Sequence, residues 1–308
     1  MNAPRILLAS LVLAACADDP VGPAGDRLAL PGDTFYPEGV AFDRGGRMFV
    51  SSIPTGQILR VDAGASSAVE LVPAGALGTS AIGLAMSRAG DLLWICDGTF
   101  GLPRAPSVIG IDPETGAERV RHHFPVQRDG RTAGLCNEIT EDAAGNVYAS
   151  DSFGARILRI AAADRTAPDR AAVWAEGPEL GAPMFGVNGI AFDGGNAILA
   201  VNTTTGTLHR IALADARISP IALARPLAGP DGIRLARPGR AIVVEQGSGT
   251  VSAIDLATGA IDILGEGLRD PTSLDLVGGE AWVAEGQLRH LFDMTPPSLP
   301  FQVLQIQI

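Results

Sequence analysis

Six short phrases recur along the chain, and their spacing limits its fold more than any other feature. The fullest copy is Val187-Asn188-Gly189-Ile190-Ala191-Phe192-Asp193-Gly194-Gly195: a polar residue, a glycine, a short apolar run and an Asp-Gly turn. Close copies are Pro37-Glu38-Gly39-Val40-Ala41-Phe42-Asp43, Cys136-Asn137-Glu138-Ile139 and Pro230-Asp231-Gly232-Ile233. Fainter ones are Ala81-Ile82-Gly83-Leu84 and Pro271-Thr272-Ser273-Leu274. Their key residues, at 38, 82, 137, 188, 231 and 272, are 44, 55, 51, 43 and 41 residues apart. Self-similarity at such a period marks a ring or stack of supersecondary units.

Inside each unit the apolar pattern is short and alternates with period two, as strands require. A key residue leads into four or five mostly apolar positions and then a turn, as in Asp43-Arg44-Gly45-Gly46, Asp142-Ala143-Ala144-Gly145 and Asp193-Gly194-Gly195. Asp bonds to backbone just ahead of it and Gly accepts positive φ, so both suit these turns. Second strands follow, such as Val147-Tyr148-Ala149 and Ile198-Leu199-Ala200-Val201, then third strands such as Arg156 to Ile160 and Thr250 to Ile254. A fourth strand leads into the next unit. The 38 Gly and 22 Pro are scattered between these runs, which fits many turns and not disorder. Four antiparallel strands repeated six times predict an all-β chain, a six-bladed β-propeller of four-stranded blades. The alternating Phe301 to Ile308 is expected to pair near Arg27 to Leu30 and close the ring, hiding two strand edges.

Charge excludes several functions. The formal net charge is −11, and all 23 basic residues are arginines. No basic run supports nucleic-acid binding. A Lys Schiff base or a P-loop needs a lysine that the chain lacks.

Arg5 followed by the apolar run Ile6 to Leu13 reads as an export signal, too short to remain as a membrane span. It ends in Leu13-Ala14-Ala15-Cys16, which resembles the lipobox of bacterial lipoproteins. That resemblance implies a signal peptide over residues 1–15, lipid on Cys16, a tether over 16–26 and a propeller over 27–308. The expected product is an exported lipoprotein, periplasmic or on the outer membrane, touching membrane through its lipid alone. The remaining Cys96 and Cys136 fall in neighbouring units and could pair in an oxidising compartment, although two buried free thiols are the preferred expectation.

Blade topology places the six key residues around the central channel: Glu38, Ile82, Asn137, Asn188, Asp231 and Thr272. Second-strand ends form an outer ring on the same face: Ser52, Cys96 or Asp97, Asp151, Asn202, Glu245 and Glu285. Glu38, Asn137, Asn188 and Asp231 bring two carboxylates and two amide carbonyls to one axis. Such a set is a poor core and a good site for one hard divalent cation. Calcium fits best; magnesium, manganese and zinc are the alternatives, zinc the least suited because no histidine reaches the ring.

Glu38-Gly39, Asn188-Gly189 and Asp231-Gly232, in that order over the blades, resemble the gluconolactonase and senescence-marker-protein (regucalcin) family, as does Asn188-Gly189-Ile190-Ala191-Phe192-Asp193. The likeness covers about residues 30–308. It implies hydrolysis of a lactone or related ester at one catalytic divalent ion held by Glu38, Asn188 and Asp231. Asp231 would double as general base, and Asn137 would complete the ion's surroundings or touch substrate. The family often has Arg-x-Asn-Asp where this chain has Leu135-Cys136-Asn137-Glu138. Glu138 thus stands in a substrate-binding place, while Arg128 or Arg131, in the preceding loop, could replace the missing arginine.

Other residues are expected to matter less. His122-His123 is similar to the paired histidines of paraoxonase-type propellers, but adjacent strand residues point opposite ways, which favours surface histidines. Ser80, Ser152 and Ser248 lack a nucleophile-elbow frame and read as turn residues. Loops Gly98 to Ser107 and Glu176 to Gly186 are candidate lids. A non-enzymatic propeller binding a protein or small ligand is the alternative, and a strictosidine-synthase-like propeller is a third, because the fold alone does not choose.

Overall fold

The computed structural model describes residues 20–78, 80–99, 104–127, 130 and 134–308. Cys16, Arg128 and Arg131 lie outside these described residues.

Six four-stranded antiparallel sheets surround one axis. Blade one is Pro37–Phe42, Met48–Ser52, Ile58–Val61 and Val69–Val72; blade two is Leu84–Met86, Leu93–Asp97, Ser107–Ile111 and Glu118–His123. Blade three is Cys136–Glu141, Val147–Asp151, Arg156–Ile160 and Ala172–Glu176; blade four is Val187–Phe192, Ala197–Asn202, Thr207–Ala212 and Ile218–Ile221. Blade five is Pro230–Arg237, Arg240–Glu245, Thr250–Asp255 and Ile261–Gly265. Blade six takes Pro271–Val277, Glu280–Glu285 and Phe301–Gln307 from the end of the chain and its outermost strand, Arg27–Leu30, from the beginning. The closing register pairs Leu30 with Phe301 and Arg27 with Leu304, where the sequence pattern anticipates it.

The turns form as their residues require. Asp193 Oδ1 accepts the backbone N–H groups of Gly195 (2.9 Å) and Ala197 (3.0 Å), with Gly194 at φ 76° between them. Asp43 and Asp142 repeat this arrangement in blades one and three.

The core lies between blades. Ala41, Phe49 and Ile58 of blade one pack on Leu84, Leu93 and Ile95 of blade two, and similar clusters join blades three to four, four to five and five to six. Each sheet therefore has both faces buried. At about 25 cal/mol per Å² of apolar surface, these interblade faces supply most of the folding drive.

Two expectations are corrected. Cys96 and Cys136 are not free thiols: they form a disulfide, with Cα atoms 5.1 Å apart. Cys96 is one residue short of the end of the second strand of blade two and Cys136 opens the inner strand of blade three, so unit alignment faces them across the blade boundary. The bond closes a separation of 40 residues. Replacing both by Ala should lower the unfolding free energy by about 2–4 kcal/mol. A denaturation midpoint that is unchanged between oxidised wild type and the double variant would refute that contribution. His122 is not a surface histidine either. It is fully buried, its Nε2 3.2 Å from the Arg165 carbonyl and its Nδ1 accepting the Arg170 N–H. His123 does point to solvent, beside Asp169.

Candidate metal centre at the hub

All the key residues except Ile82 lie at a β-bulge. Between Pro37 and Val40 the inner strand of blade one has two residues opposite one, and the same shift occurs after Cys136, Val187, Pro230 and Pro271. A bulge re-aims the side chain that it carries. Here it turns Glu38, Asn137, Asn188 and Asp231 toward the axis. The glycine that follows has a separate reason. A Cβ on Gly189 would sit 2.0 Å from the Asp231 carbonyl oxygen, and one on Gly39 2.4 Å from that of Ile82. The phrase "key residue, then Gly" therefore encodes close approach of neighbouring inner strands, without which the ring would be too wide to share a ligand.

Glu38, Asn137, Asn188 and Asp231 line one cavity of about 60 Å³, together with Ile82. Thr272 does not join them. Its hydroxyl donates to the Glu38 carbonyl at 3.0 Å, stitching blade six to blade one.

The two amides are oriented by hydroxyls that the sequence reading assigned elsewhere or passed over. Ser152 Oγ donates its one hydrogen to the Val187 carbonyl (2.6 Å), so toward Asn137 it can act as acceptor only. Asn137 Nδ2 donates to it at 3.0 Å. In blade four, Thr203 Oγ1 donates to the Pro230 carbonyl (2.8 Å) and accepts from Asn188 Nδ2 (3.0 Å). With both nitrogens fixed, both amide oxygens are turned the other way. Ser152 is thus buried and supports Asn137, not a simple turn residue. Both pairs are fifteen residues apart, a spacing visible in the sequence.

The carboxylates are held at a cost. Burial first, then the charges of Asp231 and Glu138, push the Glu38 carboxyl well above the usual range, against a smaller opposing pull from Arg234. Burial and then Glu138 raise Asp231 likewise, while a hydrogen bond from Asn188 pulls it back. Glu38 Oε2 is buried with no hydrogen-bond partner. Native proteins rarely leave such an atom unpaired, and an ion is among the standard reasons for one.

Arg234 lies deeper in the hub. It donates to Glu138 Oε2 (3.0 Å) and to the carbonyls of Ile233 and Leu84, and its Nε is 3.4 Å from Asp275 Oδ1. Glu138 Oε1 accepts the Ile139 N–H, so both its oxygens are engaged, and Glu138 is not among the cavity-lining residues. Three buried acids, Glu38, Glu138 and Asp231, and the half-buried Asp275 thus lie around one guanidinium. A divalent cation would offset that excess. Among the described residues no group of three or more His, Cys, Asp and Glu forms a metal cluster. The ring reaches four donors through its two amides. Two carboxylates, an orphaned oxygen and two inward amide carbonyls fit a hard, oxygen-seeking ion.

The outer ring has a structural task instead. Asp151 binds Arg156 and the Leu135 N–H; Glu245 binds Arg225 and the Ala228 N–H; Glu285 binds Arg269 through both side chain and N–H. Asp97 pairs with Arg104 and Arg121, and Asn202 holds the carbonyls of Glu179 and Gly181. These residues fasten each incoming loop to its blade. None lines the cavity.

The mouth is apolar. Ile53, Leu135, Phe185, Leu288 and Phe292 surround it, the last two from the short helix Leu288–Phe292 inserted in blade six. Phe185 comes from the second of the two candidate lid loops; residues 100–103 of the first lie outside the description. None of the four histidines lines the cavity.

The fold and site together define a six-bladed propeller whose hub carries an acidic ring of oxygen donors under an apolar mouth. No family model matches the sequence, and no curated protein does. Solved structures share its architecture. A regucalcin from Agrobacterium tumefaciens, described as a calcium-binding protein, aligns at 15% identity over 94% of this chain and 96% of its own, with a TM-score of 0.65. A gluconolactonase from Xanthomonas campestris aligns at 16% identity over 91% and 89%, with a TM-score of 0.64. Virginiamycin B lyase from Staphylococcus aureus aligns at 15% identity over 92% and 98%, with a TM-score of 0.62. The likeness read from Glu38-Gly39, Asn188-Gly189 and Asp231-Gly232 therefore has its counterpart in structure. Identity this low establishes fold; function has to come from the site.

Proposed function

We propose that the protein is a divalent-cation-dependent hydrolase of a lactone or related ester, acting at the hub. The ring carries this reading: Glu38, Asn188 and Asp231 converge with an unpartnered carboxylate oxygen and would hold the ion. Asn137 completes its surroundings or touches substrate. Calcium suits an all-oxygen set best. A cation bound there supplies charge that polarises a carbonyl and acidifies nearby water. The gluconolactonase and regucalcin neighbours support the same direction.

The chain's own residues do the rest. Asp231, whose side chain lines the hub cavity, would take a proton from water. The water oxygen bonds to the carbonyl carbon, the ring C–O bond breaks, and the leaving oxygen takes back a proton. One water is consumed and a hydroxy acid results, ionised at neutral pH. Asn137 and Asn188 orient, locked by Ser152 and Thr203. Glu138 acts through its charge, pinned by Arg234. Arg131 keeps its proposed place beside substrate in the loop ahead of blade three. The Cys96–Cys136 bond supports an oxidising compartment, in keeping with proposed export and anchoring through Cys16.

Acid release followed by a pH indicator across neutral and anionic lactones tests this. Turnover should appear with calcium, vanish in chelator and return on adding the ion. Calcium binding by calorimetry with no turnover of any lactone or ester would favour a binding propeller instead.

A further inference from the structure

We infer that the hub takes a lactone or ester carrying an apolar alkyl or aryl substituent in preference to a polyhydroxylated one. This rests on the hydrolase proposal above and adds the substrate class to it. The walls above the ring are Ile53, Ile82, Leu135, Phe185, Leu288 and Phe292. Among the described residues that line the cavity there is no arginine or histidine. Arg234, the nearest buried cation, is committed to Glu138, Asp275 and the Leu84 carbonyl.

Part of the hydrogen-bond capacity is already committed. The Thr203 hydroxyl hydrogen goes to Pro230, and one hydrogen of each amide, Asn137 and Asn188, goes to Ser152 and Thr203. The second hydrogen of each amide and the Gln246 amide are the further side-chain donors among the described lining residues. A polyol entering here would lose water at the hydroxyls set against the apolar walls, a cost of about 1–3 kcal/mol for each group left unmet.

The mouth continues the apolar surface outward. Phe185 packs at a tilt against Phe153, centroids 5.3 Å apart, and Phe153 is itself 42% exposed. Phe292 is 55% exposed and Met184 69%. Large apolar side chains gathered in water around one opening mark a surface that a ligand covers. A substituent on the lactone, leaving its carbonyl over the ring, would reach Phe185, Leu288 and Phe292.

The test uses the calcium-loaded protein and five-membered lactones with alkyl side chains of one to six carbons, beside an aldonolactone. kcat/KM should rise about 2–4-fold per methylene until the chain leaves the cavity, with the aldonolactone below the shortest alkyl lactone. Phe185→Ser and Phe292→Ser should flatten the slope. Calorimetry with matching, unhydrolysable alkyl lactams gives a readout independent of turnover, and affinity should climb in parallel. A flat series, or an aldonolactone turned over best, overturns the inference while leaving the hydrolase proposal standing. Chain-dependent lactam binding with no hydrolysis of any lactone would do the reverse.

Discussion

Asp231→Asn should lower metal-dependent hydrolysis by about 10²–10⁴-fold, the usual contribution of a positioned general base. The fold should survive. Asn is isosteric with Asp, and the contacts that set this part of the hub are made by backbone, with the Asp231 carbonyl against Gly189. Measured at saturating calcium, the loss should fall on kcat. Glu38→Gln gives the contrast. Its unpartnered Oε2 makes Glu38 a holder of the ion, so this change should raise the calcium concentration needed for half activity more than it lowers the rate at saturation. If Asp231→Asn kept wild-type turnover, the chemistry assigned to the ring would be wrong, whatever binds there.

A second large effect concerns stability without the ion. In chelator, Asp231→Asn should be the more stable protein at pH 8, by roughly 1–3 kcal/mol, the scale of an uncompensated buried polar group. The gap should close as the pH falls toward 4. The sign follows from linkage. The Asp231 carboxyl is raised in the folded state, so the folded protein holds its proton over a window in which the unfolded chain has released it. Its stabilising contribution is complete below the unfolded aspartate value of about 4 and is lost as pH rises through the folded value. Asn mimics the protonated form and escapes that loss. Excess calcium should reverse the order, since an ion that binds only the folded state stabilises it by mass action. Thermal melts of both proteins at pH 4.5 and 8, with calcium and with chelator, check all four corners. A wild type that is the more stable at pH 8 in chelator would show that the acids are satisfied without an ion.

Much of this was legible in the chain itself. The repeat phrase, its period and the pairing of Phe301 to Ile308 with Arg27 to Leu30 all depend on local patterning, so the blade count and the closure could be read directly. The ring could be read because identical topology carries equivalent positions to equivalent places. What escaped depends on neighbours brought together only by packing. Arg234 is an example with a usable signal. Three residues after each key residue, the units carry Ala41, Ala85, Thr140, Ala191, Arg234 and Asp275. An arginine and an aspartate among small residues at the hub announce a buried ion pair. Glu138 likewise stands where four units have glycine. The outer ring misled for the same reason that the inner ring succeeded. Symmetry placed Asp151, Glu245 and Glu285 on the correct face, but their partners, Arg156 at the start of a third strand and Arg225 and Arg269 in loops, do not recur at equivalent positions. The aromatic mouth was hidden for that reason too. Leu288 and Phe292 belong to an insertion found in one blade.

Arg234 has one more implication. Set on blade five, bonded to blades two and three and facing Asp275 of blade six, it joins four blades through a single side chain. Such a tie works like a keystone: replacing Arg234 would slacken the inner edge of most of the disc at once, where the loss of any one outer-ring pair would loosen a single loop.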